Sequence, residues 1–231
     1  VEVGGGHAAV DRTSPKEDTM ENELAEHIVR LEWEQFQLTA NEGGRAQCQD
    51  NWPTFHQMRL SQFLSWPQNL LSSYENDLED ANRVGRNLVA EKYGRMMSST
   101  APDDYARNIE PYIDTLSGER IRRQEEVISV QVAWARDFAE RYPKLGKAMR
   151  ALTTDEDGDQ ATSFETYLRG ELGTYSTTTF DLYARFISRL SGQNRNLTED
   201  IIANTVALAG YEGPPQWGAL PELPVSLLKR T

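Results

Sequence analysis

One stretch of sequence occurs twice, and this limits the possible folds more than any other feature of the chain. Residues 55–88, "FHQMRLSQFLSWPQNLLSSYENDLEDANRVGRNL", fall without a gap on residues 164–197, "FETYLRGELGTYSTTTFDLYARFISRLSGQNRNL", at a constant offset of 109 residues (Arg86 onto Arg195). Phe55 falls on Phe164, Phe63 on Leu172, Trp66 on Tyr175, Tyr74 on Tyr183, and "RNL" on "RNL". Identities are few, so coincidence competes with duplication; the agreement in spacing and apolar type favours duplication. A duplicated unit that cannot bury its apolar face alone calls for two halves, about residues 20–100 and 119–210, packed around a pseudo-twofold axis.

The periods inside these halves are helical. Apolar residues recur every three or four positions, and no two strand-like runs are joined by a hairpin turn. Helices are predicted over 20–40, 52–64, 67–97, 103–116 with a break at Pro111, 119–142, 144–152, 163–172, 177–192 and 198–210. Pro143 stops the helix that ends in "ERY", Thr162 and Glu165 make a capping box in "TSFE", and Ser65 and Thr198 are placed as caps of the helices that follow them. The expected architecture is an all-α helical bundle in one domain, residues 20–210. Residues 1–19 lack any period and read as a flexible extension; their "GGG" follows no strand and opens no helix, so it is not a phosphate loop. The stretch 211–231 contains four prolines and reads as an extended arm.

With 38% hydrophobic residues and a mean hydropathy of -0.65, 231 residues suffice for one good core. No run approaches the roughly 18 apolar residues of a membrane span, and no signal-peptide pattern opens the chain. A single cysteine makes no internal disulfide and no multi-cysteine zinc site, which fits a reducing compartment; the cytoplasm is the expected location. Lys and Arg total 24 against 36 Asp and Glu, a net charge of -12, so the averaged field repels phosphate backbones and argues against nucleic acid, with tRNA the one form left open. Histidines at 7, 27 and 56 without a Glu-x-x-His step give no di-iron site. "DEDGDQATSFET", residues 155–166, has a calcium loop's acidity, but its glycine comes two positions early and Thr166 stands where the last Glu belongs, so it reads as a solvated acidic loop. No metal and no cofactor is expected.

The candidate site grows from polar residues that face inward. On the first helix Leu24, Ile28, Leu31 and Leu38 make one apolar stripe and Val29, Trp33 and Phe36 a second, with Glu32 between them and Gln35 inside the first, while Glu34 projects outward. On the next helix Trp52, Phe55, Arg59, Gln62 and Trp66 share a face. A buried carboxylate needs a partner, and a guanidinium fits it best, so Glu32 is expected to meet Arg59. Between the helices runs "NEGGRAQCQDNW". Asn41, Gly43 and Gly44 can end a helix and Pro53 can start one, but this leaves Glu42, Arg45, Cys48 and Gln49 without a structural need. The corresponding loop of the second half, "RALTTDEDG", keeps none of those four side chains, which points to function in the first. Cys48 beside Arg45 is the candidate nucleophile, with a buried inert thiol as the alternative; a pair with His56 would require the loop to fold back. Along the predicted helix 67–97, Tyr74, Leu78, Ala81, Gly85, Leu88, Lys92 and Met96 run down one side, and Lys92 there either snorkels or serves the site.

The motifs "NEGGRAQCQ", "FHQMRLSQF" and "GRNLVAEKYGRM" resemble those of a bacterial and fungal domain-of-unknown-function family, DUF4125, over roughly residues 20–210. Here Gly94 stands where the family usually has alanine. The resemblance singles out Glu34, Phe36, Cys48, Gln49, Phe55, Met58, Arg59, Asn87, Glu91, Lys92, Tyr93 and Met96, and brings no settled reaction with it. More loosely, fungal relatives resemble arginine-type cyclodipeptide synthases, which would imply an aminoacyl-tRNA substrate. The leading expectation is a small-molecule or amino-acid-processing enzyme of the group- or acyl-transfer kind. Its pocket lies at the 41–49 loop, with Cys48, Glu32 and Glu42 as catalytic candidates. Asn41, Gly43, Gly44, Arg45, Gln49, Arg59, Gln62, Tyr74, Asn87, Glu91, Lys92 and Tyr93 are its candidate ligand contacts, the arginines anchoring a carboxylate or phosphate. A non-catalytic ligand-binding module and a structural or interaction protein are the alternatives, and the residues leave the oligomeric state open.

Overall fold

In the computed structural model, which describes residues 15–40, 44–158 and 162–210, every long element is a helix. The helices are α1 (Pro15–Gln37), α2 (Trp52–Phe63), α3 (Gln68–Arg83), α4 (Leu88–Thr100), α5 (Pro102–Asn108), α6 (Gly118–Arg141), the short α7 (Pro143–Gly146), α8 (Phe164–Leu172), α9 (Thr177–Gly192) and α10 (Leu197–Leu208). Side-chain caps set several starts. Asn51 accepts from Thr54 N, Asn87 from Ala90 N, Ser117 from Arg120 N, Ser163 from Thr166 N, Ser176 from Thr179 N and Asn196 from Thr198 N. Pro143, in the first turn of α7, ends α6 as expected.

Several local expectations are corrected. The stretch 67–97 is two helices, because Gly85 takes φ +75 and Asn87 caps a new start. α1 begins at Pro15, inside the stretch read as an extension. Leu38 is 80% exposed and leaves the apolar stripe. Ser163, not Thr162, caps α8; Glu165 bonds Thr154 N instead. Asn196, not Thr198, caps α10, and Ser65 donates back to the carbonyls of Ser61 and Gln62 rather than capping α3. Residues 1–14 and 211–231, with His7 and the proline-rich stretch, lie outside the described residues.

Six helices close a ring. α1 packs on α4, α4 on α8, α8 on α6, α6 on α10, α10 on α2 and α2 back on α1; α3 and α9 pack on one another and on α1 and α6 respectively. The main core gathers Phe63, Leu70, Leu71, Leu78, Leu172, Phe180 and Leu190 with the buried rings of Trp66, Tyr74, Tyr175 and Tyr183. A smaller cluster of Phe138, Leu145, Ala148, Ile202 and Val206 ties α6 and α7 to α10.

Several positions 109 residues apart make corresponding bonds. Asn87 Nδ2 donates to the Gln35 carbonyl and Asn196 Nδ2 to the Trp134 carbonyl. Arg86 N and Arg195 N turn back to the carbonyls of Ala81 and Leu190, and their side chains pair with Glu91 and Asp200. Gly85 and Asn194, again 109 apart, both take positive φ. The hydroxyl of Tyr74 reaches Glu32 on α1, and that of Tyr183 reaches Gln131 on α6. From α1 to α6 the offset is 99 (Glu32 to Gln131), and the difference is taken up between α6 and α8, where α7 is inserted.

Candidate functional site

The ring encloses a cavity of about 560 Å³. Tyr74 of α3 and Tyr183 of α9, both buried, contribute to its lining. Gln47, Cys48 and Asn51 from the α1–α2 loop and Met149 and Arg150 from the α6–α8 segment border it elsewhere. This volume suits a small organic molecule.

Four ionised side chains meet in its wall, each from a different helix. Arg59 of α2 forks onto Glu32 of α1, with Nε to Oε2 at 2.5 Å and Nη2 to Oε1 at 2.6 Å. The same guanidinium reaches Glu171 of α8 at 3.1 and 3.2 Å. Lys92 of α4 donates to Glu171 Oε2 at 2.5 Å. Tyr74 donates to Glu32 at 2.7 Å, and Gln62 and Tyr175 each donate to Glu171 at 3.0 Å. The expected Glu32–Arg59 pair is therefore present, but as part of a larger cluster. Two carboxylates and two cations sum to zero, which is how four charges can be buried together.

Mutual stabilisation shows in the proton affinities. Burial works against the Arg59 charge, yet Glu171 and Glu32 outweigh it and hold its pKa well above the ordinary arginine value. Burial would raise Glu171, but Arg59 and Lys92 hold its carboxyl far below the usual carboxylate range. Burial, with Glu32 behind it, pushes the Tyr74 phenol well up; burial, with Glu171, does the same to Tyr175. The Glu171 carboxylate thus stays ionised and the Tyr74 and Tyr175 phenols neutral across the physiological range. Glu171 is a poor general base for that reason.

Aromatic rings line the wall near the loop. Phe36 stacks on Phe55 with centroids 5.3 Å apart, and Trp33 and Trp52 pack behind them. The Tyr93 and Tyr167 hydroxyls are 2.9 Å apart. Lys92 Nζ stands 4.1 Å from the centroid of the Tyr167 ring, and the Arg150 guanidinium 4.3 Å from it. Burial lifts the Tyr93 phenol well above its ordinary value, helped by Tyr167 and by the thiol of Cys48.

The structure divides the expected site residues. Glu32, Cys48, Arg59, Gln62, Tyr74, Lys92 and Tyr93 line the cavity. Asn41, Glu42 and Gly43 lie outside the described residues, and Gly44 takes φ +87 in the turn. Arg45 is not among the lining residues: half-exposed, it holds the loop by bonding Asp50, the Gln37 side chain and the Gln49 carbonyl. Gln49 is 1% exposed and staples the loop to the end of α1 through the carbonyls of Phe36 and Thr39. Asn87 caps α4, and Glu91 pairs with Arg86 and Arg95. These four residues build the frame of the site. His56 bonds Glu26 at 2.9 Å and stacks near Trp52, so the loop does not present Cys48 to it.

Sequence reasoning did not find Glu171, Tyr167 and Tyr175. The signal for Glu171 was in the offset, which sets it opposite the already selected Gln62; the two side chains touch. Among the described residues, His27, Glu75 and Glu79 bring donor atoms within 4.8 Å of one another and could hold a cation, but none of them lines the cavity. Asp157 of the acidic loop instead accepts from Ser163 N, Thr166 and Ser99, and so pins the start of α8.

The model of the family described as "Protein of unknown function (DUF4125)" matches residues 22–215. The chain belongs to that family. No curated protein and no solved structure matches it. The match takes in all ten elements above except the first turns of α1, so the ring, its loop and the ionic cluster all lie within the stretch that defines this DUF4125 member. Among the described residues no helix is long and apolar enough to cross a membrane.

Proposed function

We propose that this DUF4125 chain binds a small zwitterionic molecule of the amino-acid class in the ring cavity. The observation that carries this reading is the charge-neutral cluster of Glu32, Arg59, Glu171 and Lys92 in the cavity wall. Glu32 accepts three bonds in the structure and Lys92 donates one to Glu171, so each has capacity left for a ligand. A carboxylate on Lys92 and an ammonium on Glu32 would add no net charge to a dry site, which makes a zwitterion cheaper to bury than either ion alone. The single cysteine fits a reducing compartment, and the cytoplasm is taken as the setting.

Calorimetric titration with an amino acid, its amide and its deaminated acid tests the reading. Both analogues are expected to bind about tenfold more weakly or worse, and Lys92→Met and Glu32→Gln should each weaken the parent compound comparably. Equal binding of the three compounds would overturn the proposal.

An enzyme reading rests on Cys48, which lines the same cavity. The thiol sulfur would attack an acyl carbon, the bond to the leaving group would break, the leaving group would take the thiol proton, and a thioester would remain on Cys48. An aminoacyl ester, the donor implied by the looser resemblance, suits this step. Intact-mass measurement after incubation with an activated amino-acid ester reads it directly. An adduct lost in Cys48→Ala supports transfer, and an unmodified chain leaves a binding module.

A further inference from the structure

The residues around the cavity fall into pairs related by the offsets that relate the two halves. Some pairs keep their chemistry: Phe55 with Phe164, Tyr74 with Tyr183, Leu88 with Leu197. Others do not. Glu32 on α1 is matched by Gln131 on α6, and Lys92 on α4 by Ile201 on α10. Tyr93 is matched by Ile202, and Phe36 by Ala135. In the ring, α1 and α4 are neighbours, as are α6 and α10, with α2 and α8 between the two pairs. Four of the five changed pairs lose a charge, a hydroxyl or bulk on the α6–α10 side; the fifth, Val89 with Thr198, gains a hydroxyl there, in the first turn of α10. One side of the cavity is therefore ionic and aromatic, while the opposite side is apolar and, at Ala135, hollowed.

We infer that the cavity is a duplicated site whose two sides have diverged, and that it takes an amphipathic ligand lying across the ring, its zwitterionic head against α1 and α4 and an apolar tail of several carbons against Ala135, Leu197, Ile201 and Ile202. The inference rests on the zwitterion reading for its head and adds the tail. Physically, a carbon chain gains by leaving water only where the wall offers no unpaired polar group, and on this side the helices bring two polar members: Gln131 accepts from the Tyr183 hydroxyl at 2.8 Å and donates to the Val127 carbonyl, and is so already occupied, while Thr198 is only partly buried at the start of α10, where its amide bonds Asn196. A ligand with a head alone would leave apolar wall wet; one with a tail alone would leave the cluster's remaining capacity unused.

The test is calorimetry with straight-chain 2-amino acids of increasing length, from alanine through norvaline and norleucine to 2-aminooctanoic acid, alongside the alkylamines and fatty acids of matching length. The wild-type chain should bind about fourfold more tightly for each added methylene. Ile201→Gln should flatten that dependence. Ile201→Ala, which keeps the wall apolar and enlarges it, should retain the dependence and shift the best tail to a longer one; helical circular dichroism reports that both variants fold. Lys92→Met should weaken every amino acid by the same factor without changing the slope. If amino acids outbind the singly charged compounds but length has no effect, or if Ile201→Gln leaves the slope intact, the tail assignment fails and the zwitterion reading stands. If length matters but alkylamines or fatty acids bind as well as amino acids, the zwitterion reading fails and the apolar side stands. If no compound binds, both fail.

Discussion

At the scale of single residues, Arg59 is the side chain on which most of the site depends. Its fork satisfies Glu32 and its edge satisfies Glu171, and its own side chain is only 11% exposed. Arg59→Met leaves two buried carboxylates facing each other with Lys92 alone to compensate them, and is expected to cost about 3–5 kcal/mol in denaturant unfolding. Removing Glu32 as well should cost less than the sum of the two single losses; strict additivity would mean that the two side chains do not interact. Proton linkage gives a second expectation. The Glu171 carboxyl is held far below the ordinary range, so the stability it lends is complete above the unfolded-state pKa of about 4.3 and is lost as pH falls below it. Tyr74 and Tyr175 are shifted the other way: their contribution is complete below the unfolded-state pKa of about 10 and is lost as pH rises through and above it. Unfolding free energy should therefore fall at both extremes. Tyrosinate absorbance of these two phenols should appear only with unfolding, and smooth titration of all nine tyrosines in the folded chain would contradict their burial. The Glu32–Arg59 pair was legible in sequence because each residue lies on an apolar helical face. Glu171 was not, because its inward position depends on the docking of α8 against α4.

At the scale of elements, close approach decides the geometry. A Cβ added at Gly170 of α8 would lie 2.8 Å from the Lys92 carbonyl and 2.7 Å from Met96 Cγ, so α4 and α8 touch backbone to backbone beside the ionic cluster. Gly170→Ala is expected to lower stability by about 1–3 kcal/mol and to weaken ligand binding, because α4 must shift and carry Lys92 with it. Unchanged melting and unchanged binding would show that the helices are not so close. Gly94 leaves room on α4 for Ile109, whose Cγ2 would stand 2.9 Å from an added Cβ. The break between α3 and α4 makes a different demand. Gly85→Ala places a Cβ in left-handed backbone at a cost of about 1–2 kcal/mol, while Asn194→Gly at the matching turn should be neutral or mildly stabilising, as thermal unfolding of the two variants would read. Sequence periodicity ran through this break because the apolar stripe from Tyr74 to Met96 keeps its spacing across it. The caps were misplaced by a residue or two for a related reason: serine, threonine and asparagine crowd each helix start, and the backbone path selects which oxygen faces the open N–H groups.

At the scale of the whole molecule, the ring links the halves by exchange. α4 of the first half packs on α8 of the second, and α10 of the second on α2 of the first. Neither half can then cover its own apolar faces. Residues 15–109 and 110–210 expressed separately should show weak helical circular dichroism and regain it on mixing; a half that is cooperatively folded alone would contradict the exchanged packing. The amino-acid sequence by itself determined the all-α class, the stop at Pro143, and the inward turn of Glu32 and Arg59, because periodicity, proline geometry and the cost of a lone buried charge all act within one or two helices. Tertiary structure alone decided that six helices close around a cavity, that Lys92 and Glu171 complete the pair into a neutral cluster, and that Arg45 and Gln49 bind the loop while Cys48 reaches the cavity. These depend on contacts between residues up to 148 positions apart, as in Gln57 with Thr205, and no local pattern records the docking that brings such residues together.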